Sequence, residues 1–226
     1  MCNLYSQTKS QDAMRQVFRD VLEPGEDLID ETGNLPALSA IWPDYPAPII
    51  RRHPVVGWQL AMARWGMPTP PAYLEGKRTD PGVTNIRNLG SPHWRRWLEV
   101  EHRCLVPFTS LSELDARPGA PRNHPIRFAL GAERPLGFFA GIRTEWTSVR
   151  KLKEGEVRAE LFGFLTCAPN REVGWVHPKA MPVVLTRPEE WRIWLTAPTD
   201  QALRLQRPLA DGALDIVMEG AREDPA

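Results

Sequence analysis

Cysteine and lysine are scarce in this chain of 226 residues, and the chain carries no net charge. Lys+Arg and Asp+Glu both number 28, and only 5 of the basic residues are lysine. A neutral chain cannot coat nucleic acid through bulk charge, although a local basic groove remains compatible with it. No apolar run reaches the ~20 residues that span a bilayer. Residues 1–7 lack the basic and apolar regions of a secretory signal, so we expect a cytoplasmic protein with no membrane partner.

Patterns that hold metals or disulfides are also missing from the sequence. The three cysteines, Cys2, Cys104 and Cys167, are an odd number with no C-x-x-C spacing. The five histidines form neither an H-x-x-x-H nor an H-E-x-x-H pair. We therefore expect no disulfide framework, no metal centre and no cofactor.

The apolar pattern predicts an α+β fold. Apolar residues at helical spacing predict an amphipathic helix within residues 8–23. β-Branched and aromatic composition predicts strands at residues 48–51, 55–60, 103–107, 111–114, 126–130, 136–142, 161–167 and 181–185. We expect a single domain over residues 1–226, with a twisted, mostly antiparallel sheet or open barrel and helices at its margins. Residues 219–226 are expected to form a frayed tail.

Cys2 is the first residue that could carry chemistry. Removal of Met1 by an aminopeptidase would leave Cys2 with a free α-amine and a thiol on adjacent carbons. The reference pKa of an α-amine is ~7.7–8.0, so part of it is neutral at pH 7. Such an amine attacks aldehydes to give an imine, onto which the thiol can close as a thiazolidine. The thiolate could instead be the nucleophile of acyl transfer, and an incidental terminal cysteine is a third interpretation.

Five other residues are chemically suggestive, and each has an ordinary structural alternative, which for Asn85 and Arg87 is a polar strand face. His177 could exchange protons near neutral pH, or be a surface histidine. Glu113, flanked by leucines, could have a raised pKa, or be an exposed carboxylate. Asn85 and Arg87 would share one face of a strand and could orient a nucleophile and hold a phosphate. Trp65 could stack on a nucleobase, or pack against its own turn.

In their joint order these segments resemble the SRAP family, the SOS-response-associated peptidase-like proteins that process abasic sites in DNA. The resemblance runs from residue 1 to about residue 195. It departs from the family's usual Met-Cys-Gly-Arg opening at Asn3 and Leu4, and the histidine motif is one residue longer. The matching stretches are Met1-Cys2, Arg64-Trp65-Gly66, Thr84-Asn85-Ile86-Arg87, Arg103-Cys104-Leu105-Val106-Pro107 running to Glu113, residues 138–142, Leu165-Thr166 and residues 177–185.

The resemblance implies a role for each matching position. Cys2 would form a covalent adduct, and Asn85 would orient its amine. Glu113 would be the acid/base for imine formation, and His177 would assist opening of the sugar ring. On the DNA side it implies a phosphate contact at Arg87, a position near the DNA for Trp65, and a wedge beside the lesion at Pro43.

The resemblance therefore implies an enzyme that forms a thiazolidine crosslink at abasic sites in single-stranded DNA. We expect a monomer that is associated with the nucleoid when it is bound to DNA. Two rival hypotheses stay open. One is an N-terminal-nucleophile thiol peptidase or amidohydrolase that uses the same Cys2 with His177 as base. The other is a non-catalytic DNA- or protein-binding module.

Overall fold

The computed structural model describes residues 2–225, which form many short strands and a few short helices. The helices are α1 (Gln11–Phe18), α2 (Pro92–Arg95), α3 (Arg171–Val176), α4 (Pro188–Thr196) and α5 (Thr199–Ala202). The strands are β1 (Leu4–Gln7), β2 (Leu28–Asp30), β3 (Leu38–Ile41), β4 (Pro46–His53), β5 (Gly57–Trp65), β6 (Asn85–Ile86), β7 (Arg103–Phe108), β8 (Ser110–Leu114), β9 (Pro125–Ala129), β10 (Gly137–Val149), β11 (Glu156–Cys167), β12 (Met181–Pro182), β13 (Val184–Leu185) and β14 (Asp215–Glu219).

Five long strands close into a barrel in the order β11-β10-β7-β4-β5, with β5 returning to β11. The first four pairings are antiparallel, and the closing one is parallel, with Leu161 opposite Arg64 and Phe162 opposite Trp65. Closure removes the unpaired edges that an open sheet would present. The predicted α+β class with a mostly antiparallel sheet is confirmed, and the barrel is closed by this parallel pair.

A second sheet places the chain start beside the middle of the sequence. Its strand order is β14-β9-β8-β1-β3. Leu4 of β1 lies opposite Ser112 of β8, so the residues just before β1 lie next to Glu113. Tyr5 is fully buried, with its ring 5.1 Å from that of Trp65, which joins this sheet to the barrel core.

Two predicted segments differ in the structure. The helix predicted over residues 8–23 is shorter in the structure. It begins at Gln11, because Ser10 caps its start by accepting a hydrogen bond from the Ala13 amide at 3.2 Å. Helix α1 is followed by a 3₁₀ turn at Arg19–Val21. The frayed tail predicted at 219–226 is wrong for residues 219–225. Gly220 donates its amide to the Pro125 carbonyl at 2.8 Å, and Asp224 is fully buried. Ala226 lies outside the described residues.

Candidate active site

Cys2 is buried in this structure, and its thiol is protonated at neutral pH. Its side chain has no exposed surface, and its Sγ lies 3.4 Å from the Leu4 carbonyl, to which it donates. Burial raises the pKa of the Cys2 thiol to about 12, and the negative charge of Glu113 adds to the effect. The thiol is therefore protonated at neutral pH, whereas cysteines that attack as thiolates need a lowered pKa.

Asn85 binds the backbone of Cys2 directly. The short strand β6 runs parallel to β11, with Asn85 opposite Phe164, and this pairing fixes the backbone from which the Asn85 side chain extends. Asn85 Nδ2 donates to the Cys2 carbonyl and to Thr84 Oγ1, both at 2.8 Å. Within residues 2–225 the buried Asn85 Oδ1 accepts no hydrogen bond. This oxygen is available to accept a hydrogen bond from a donor beside Cys2.

The buried Glu113 and the half-buried His177 form an acid–base pair next to Cys2. Glu113 is 2% exposed on β8, and its Oε2 lies 3.9 Å from His177 Nε2. Burial raises the pKa of the Glu113 carboxyl to about 7. His177 follows α3, where its amide donates to the Val173 carbonyl at 2.7 Å, and burial lowers its pKa below the usual range. At neutral pH the glutamate can give or accept a proton, and the histidine is neutral.

The pair lies in a cavity of ≈ 380 Å³, a volume within the usual range of small-ligand sites. The cavity is lined by both polar and apolar side chains, so a small ligand could be enclosed and also hydrogen-bonded. The lining residues are Asn3, Leu4, Trp42, Ser112, Glu113, Leu114, Asn123, Pro125, His177 and Arg222.

The three residues expected to contact DNA, Arg87, Trp65 and Pro43, are not among the residues that line this cavity. Arg87 is exposed just after β6, and its carbonyl accepts a 2.8 Å hydrogen bond from Gln206 Nε2. The guanidinium of Arg87 is thus on the surface, two residues from Asn85. Pro43 is half-buried in the loop between β3 and β4, next to the cavity residue Trp42.

Trp65 cannot serve as the stacking surface that the sequence suggested. It is 1% exposed, and its ring stacks on Phe164 at 5.2 Å and on Phe162 at 6.4 Å. Its Nε1 donates to the Thr84 carbonyl at 3.3 Å. Trp65 therefore belongs to the core and supports the segment that carries Asn85, and the idea of base stacking on this ring is wrong.

Sequence patterns did not predict that Trp42 and Arg222 line the cavity. Trp42 adjoins Pro43, the residue expected to form the wedge, and an aromatic residue at that place in the sequence could have indicated a residue of the site. Arg222 lies in the segment predicted to be frayed, and no local pattern indicated its position. Within the described part of the chain, no cluster of three or more His, Cys, Asp or Glu side chains could hold a metal ion. No helix there is long and apolar enough to cross a membrane.

Comparison with known proteins shows the family and the fold of the chain. A profile of the family described as SOS response associated peptidase (SRAP) matches residues 1–218. A crystal structure from Bordetella bronchiseptica matches with TM-score 0.67 and 24% identity, covering 95% of this chain and 97% of that one. One from Bacteroides thetaiotaomicron gives 0.66 and 19%, covering 95% and 90%. A phage-related protein from B. bronchiseptica gives 0.63 and 23%, covering 95% and 92%. These similarities show a shared fold, and no curated protein matches the chain by sequence.

Proposed function

Because the chain belongs to the SOS response associated peptidase family, we propose that it is an abasic-site processing enzyme. After Met1 is removed, Cys2 forms a covalent thiazolidine crosslink with an abasic site in single-stranded DNA. The crosslink protects the lesion from strand cleavage during the DNA damage response.

One observation carries this proposal: four chemically suited residues from distant segments converge at the start of β1. The Cys2 carbonyl is held by Asn85 at 2.8 Å, and Glu113 is close enough to raise the pKa of the thiol. His177 lies 3.9 Å from Glu113. Buried titratable groups with shifted pKa values, gathered at a cavity, are typical of sites that move protons. An α-amine at Cys2 would lie among these groups.

The first bond forms between the Cys2 nitrogen and C1′ of the abasic sugar. Ring opening moves a proton from the C1′ hydroxyl to O4′ and frees the aldehyde, and neutral His177 is suited to relay that proton. The amine adds to the aldehyde to give a carbinolamine. Protonated Glu113 then donates to the departing hydroxyl, which leaves as water, and the resulting carboxylate takes the remaining proton of the nitrogen to give a neutral imine. Asn85 Oδ1 is the acceptor that orients the amine. Such positioning can supply ~7–11 kcal/mol of the barrier.

The second bond forms between Cys2 Sγ and the imine carbon. The thiol proton passes to the nitrogen, which closes the five-membered thiazolidine, and one water is lost overall. A thiol with a pKa of about 12 stays protonated until the imine offers it an electrophile. This order, amine first and thiol second, favours the crosslink over the thiol peptidase hypothesis, which needs a thiolate at the outset.

The exposed Arg87 is the proposed phosphate contact, and Pro43 the proposed wedge beside the lesion. Arginine holds phosphate oxygens through bidentate hydrogen bonds. A chain with zero net charge would hold DNA through a few such contacts, with the covalent bond supplying permanence.

A denaturing gel tests the proposal and its rivals together. The protein is incubated with a single-stranded oligonucleotide that carries one abasic site, without added reductant. We expect a shifted band in the wild type and in Cys104→Ala, a matched control at another buried cysteine, but not in Cys2→Ala. Peptide hydrolysis that depends on Cys2, with no shifted band, would favour the peptidase. DNA retention without any covalent product, unchanged in Cys2→Ala, would favour the plain binding module.

A further inference from the structure

The C-terminal segment, residues 220–225, crosses the five-stranded sheet from one edge to the other. It leaves β14 at one edge, where the Gly220 amide donates to the Pro125 carbonyl at 2.8 Å. It reaches the opposite edge at β3, where the Asp224 amide donates to the Ser39 carbonyl at 2.9 Å. The segment therefore crosses β9, β8 and β1, the strands around Cys2 and Glu113.

A buried arginine fixes the middle of this segment. Arg127 of β9 has no exposed surface, and its guanidinium donates to the carbonyls of Ala221, at 3.3 Å, and of Arg222. Its Nη1 also donates to Ser6 Oγ of β1 at 2.7 Å and to Ser110 Oγ of β8 at 3.2 Å. One side chain thus ties the backbone at residue 222 to the two strands that shape the candidate active site.

Asp224 fixes the segment on the other side of residue 222. Its carboxylate accepts from Ser110 Oγ at 2.7 Å and from Arg134 Nε at 2.8 Å. Because the backbone is held on both sides, the position from which the Arg222 side chain extends is set by the fold. A segment that was merely a loose end would not be anchored by buried charged groups, whose burial is costly unless they are paired.

The Arg222 side chain places a cation at the cavity that is not paired with any described residue. It lines the same cavity as Glu113 and His177. Its guanidinium forms no hydrogen bond or ion pair with any residue in the range 2–225. Among the described lining residues it carries the one permanent positive charge. A guanidinium presents five N–H donors in a planar fork that matches phosphate oxygens.

We propose that Arg222 binds a phosphodiester oxygen of the DNA strand at the cavity mouth and so positions the abasic sugar against Glu113. This inference rests on the proposed function and names a contact beyond it, since Arg222 lies outside the matched residues 1–218. The C-terminal segment would then add a DNA-binding side chain to the site.

Binding of a non-reactive DNA tests this contact apart from the crosslink. The probe is a single-stranded oligonucleotide with one tetrahydrofuran abasic analogue, which has no aldehyde, and anisotropy measures its affinity at several salt concentrations. Arg222→Ala should weaken binding about tenfold, as expected for one lost charge-assisted hydrogen bond. It should also lower the slope of log affinity against log salt by about 0.7. Arg222→Lys should recover much of the slope, because it retains the charge.

The exposed Arg19 provides a matched control, since it does not line the cavity. Arg19→Ala should bind the probe as the wild type does, and all variants should melt alike. Wild-type affinity and salt slope in Arg222→Ala would overturn the inference, as would an equal loss in Arg19→Ala. The proposed function is judged separately, by whether wild type crosslinks a true abasic site. With that DNA, Arg222→Ala should crosslink more slowly than the wild type, and the difference should be largest at low DNA concentration.

Discussion

Replacing Glu113 with glutamine should stabilise the protein and impair its chemistry at the same time. The Glu113 carboxyl is 2% exposed, and burial raises its pKa from 4.5 to about 7. The folded state therefore holds this proton more tightly than the unfolded state does. That contribution to stability is fully present below pH 4.5 and is lost as the pH rises from 4.5 to about 7.

The size of the effect follows from the pKa. One pH unit of pKa difference corresponds to ~1.36 kcal/mol, so moving from 4.5 to about 7 corresponds to about 3 kcal/mol. Glu113→Gln keeps the size of the side chain and removes its ionisation. Relative to wild type, the variant should gain up to ~3 kcal/mol in free energy of unfolding at pH 8 and almost nothing at pH 4.

Urea unfolding of both proteins between pH 4 and pH 8 measures this difference. Glu75→Gln, the same replacement at an exposed position, should show no pH-dependent gain. Because a proton donor is removed, Glu113→Gln should also slow crosslinking by ~10²–10⁴-fold. A difference in stability that stayed constant across the pH range, or a loss of stability at pH 8, would show that Glu113 does not titrate with a raised pKa in the folded protein.

Three further substitutions test other parts of the site. Asn85→Ala should slow crosslinking roughly tenfold at saturating DNA, because the hydrogen bond that holds the Cys2 carbonyl is lost; an unchanged rate would contradict this role. Trp65→Phe should lower the melting temperature yet leave DNA capture within roughly twofold of wild type; lost capture with unchanged melting would restore the stacking role. Asp224→Ala should cost ~3 kcal/mol in urea unfolding, since it leaves Arg134 without its carboxylate, whereas the exposed Glu223→Ala should not.

Local pattern predicted the elements that pair with near neighbours. The strands predicted at residues 48–51 and 55–60 are the β4–β5 hairpin, which is joined by a short turn and pairs from His53–Gly57 to Pro46–Arg64. Alternation and composition suffice there, because the partners are adjacent in the chain. The barrel's parallel closure between β5 and β11 joins residues almost a hundred positions apart, and no local signal specifies such a register.

The candidate site was predictable only in outline. Composition marked Cys2, Glu113 and His177 as reactive types, and the ordered resemblance suggested that they act together. The burial of Cys2 follows from the pairing of β1 with β8, which depends on tertiary packing. Trp65 was misassigned because the sequence pattern of a tryptophan beside a glycine turn is the same whether the side chain faces the solvent or the core. Arg222 was missed because its position depends on the buried Arg127.

Intact-mass analysis of the protein with abasic single-stranded DNA reports directly on the proposed crosslink at Cys2. We expect one covalent product, equal to the chain without Met1 plus the DNA minus one water, with the attachment mapped to Cys2. The same product should form in Cys104→Ala and Cys167→Ala, and none should form in Cys2→Ala. A product that persisted in Cys2→Ala, or that mapped to another residue, would show that Cys2 does not form the crosslink.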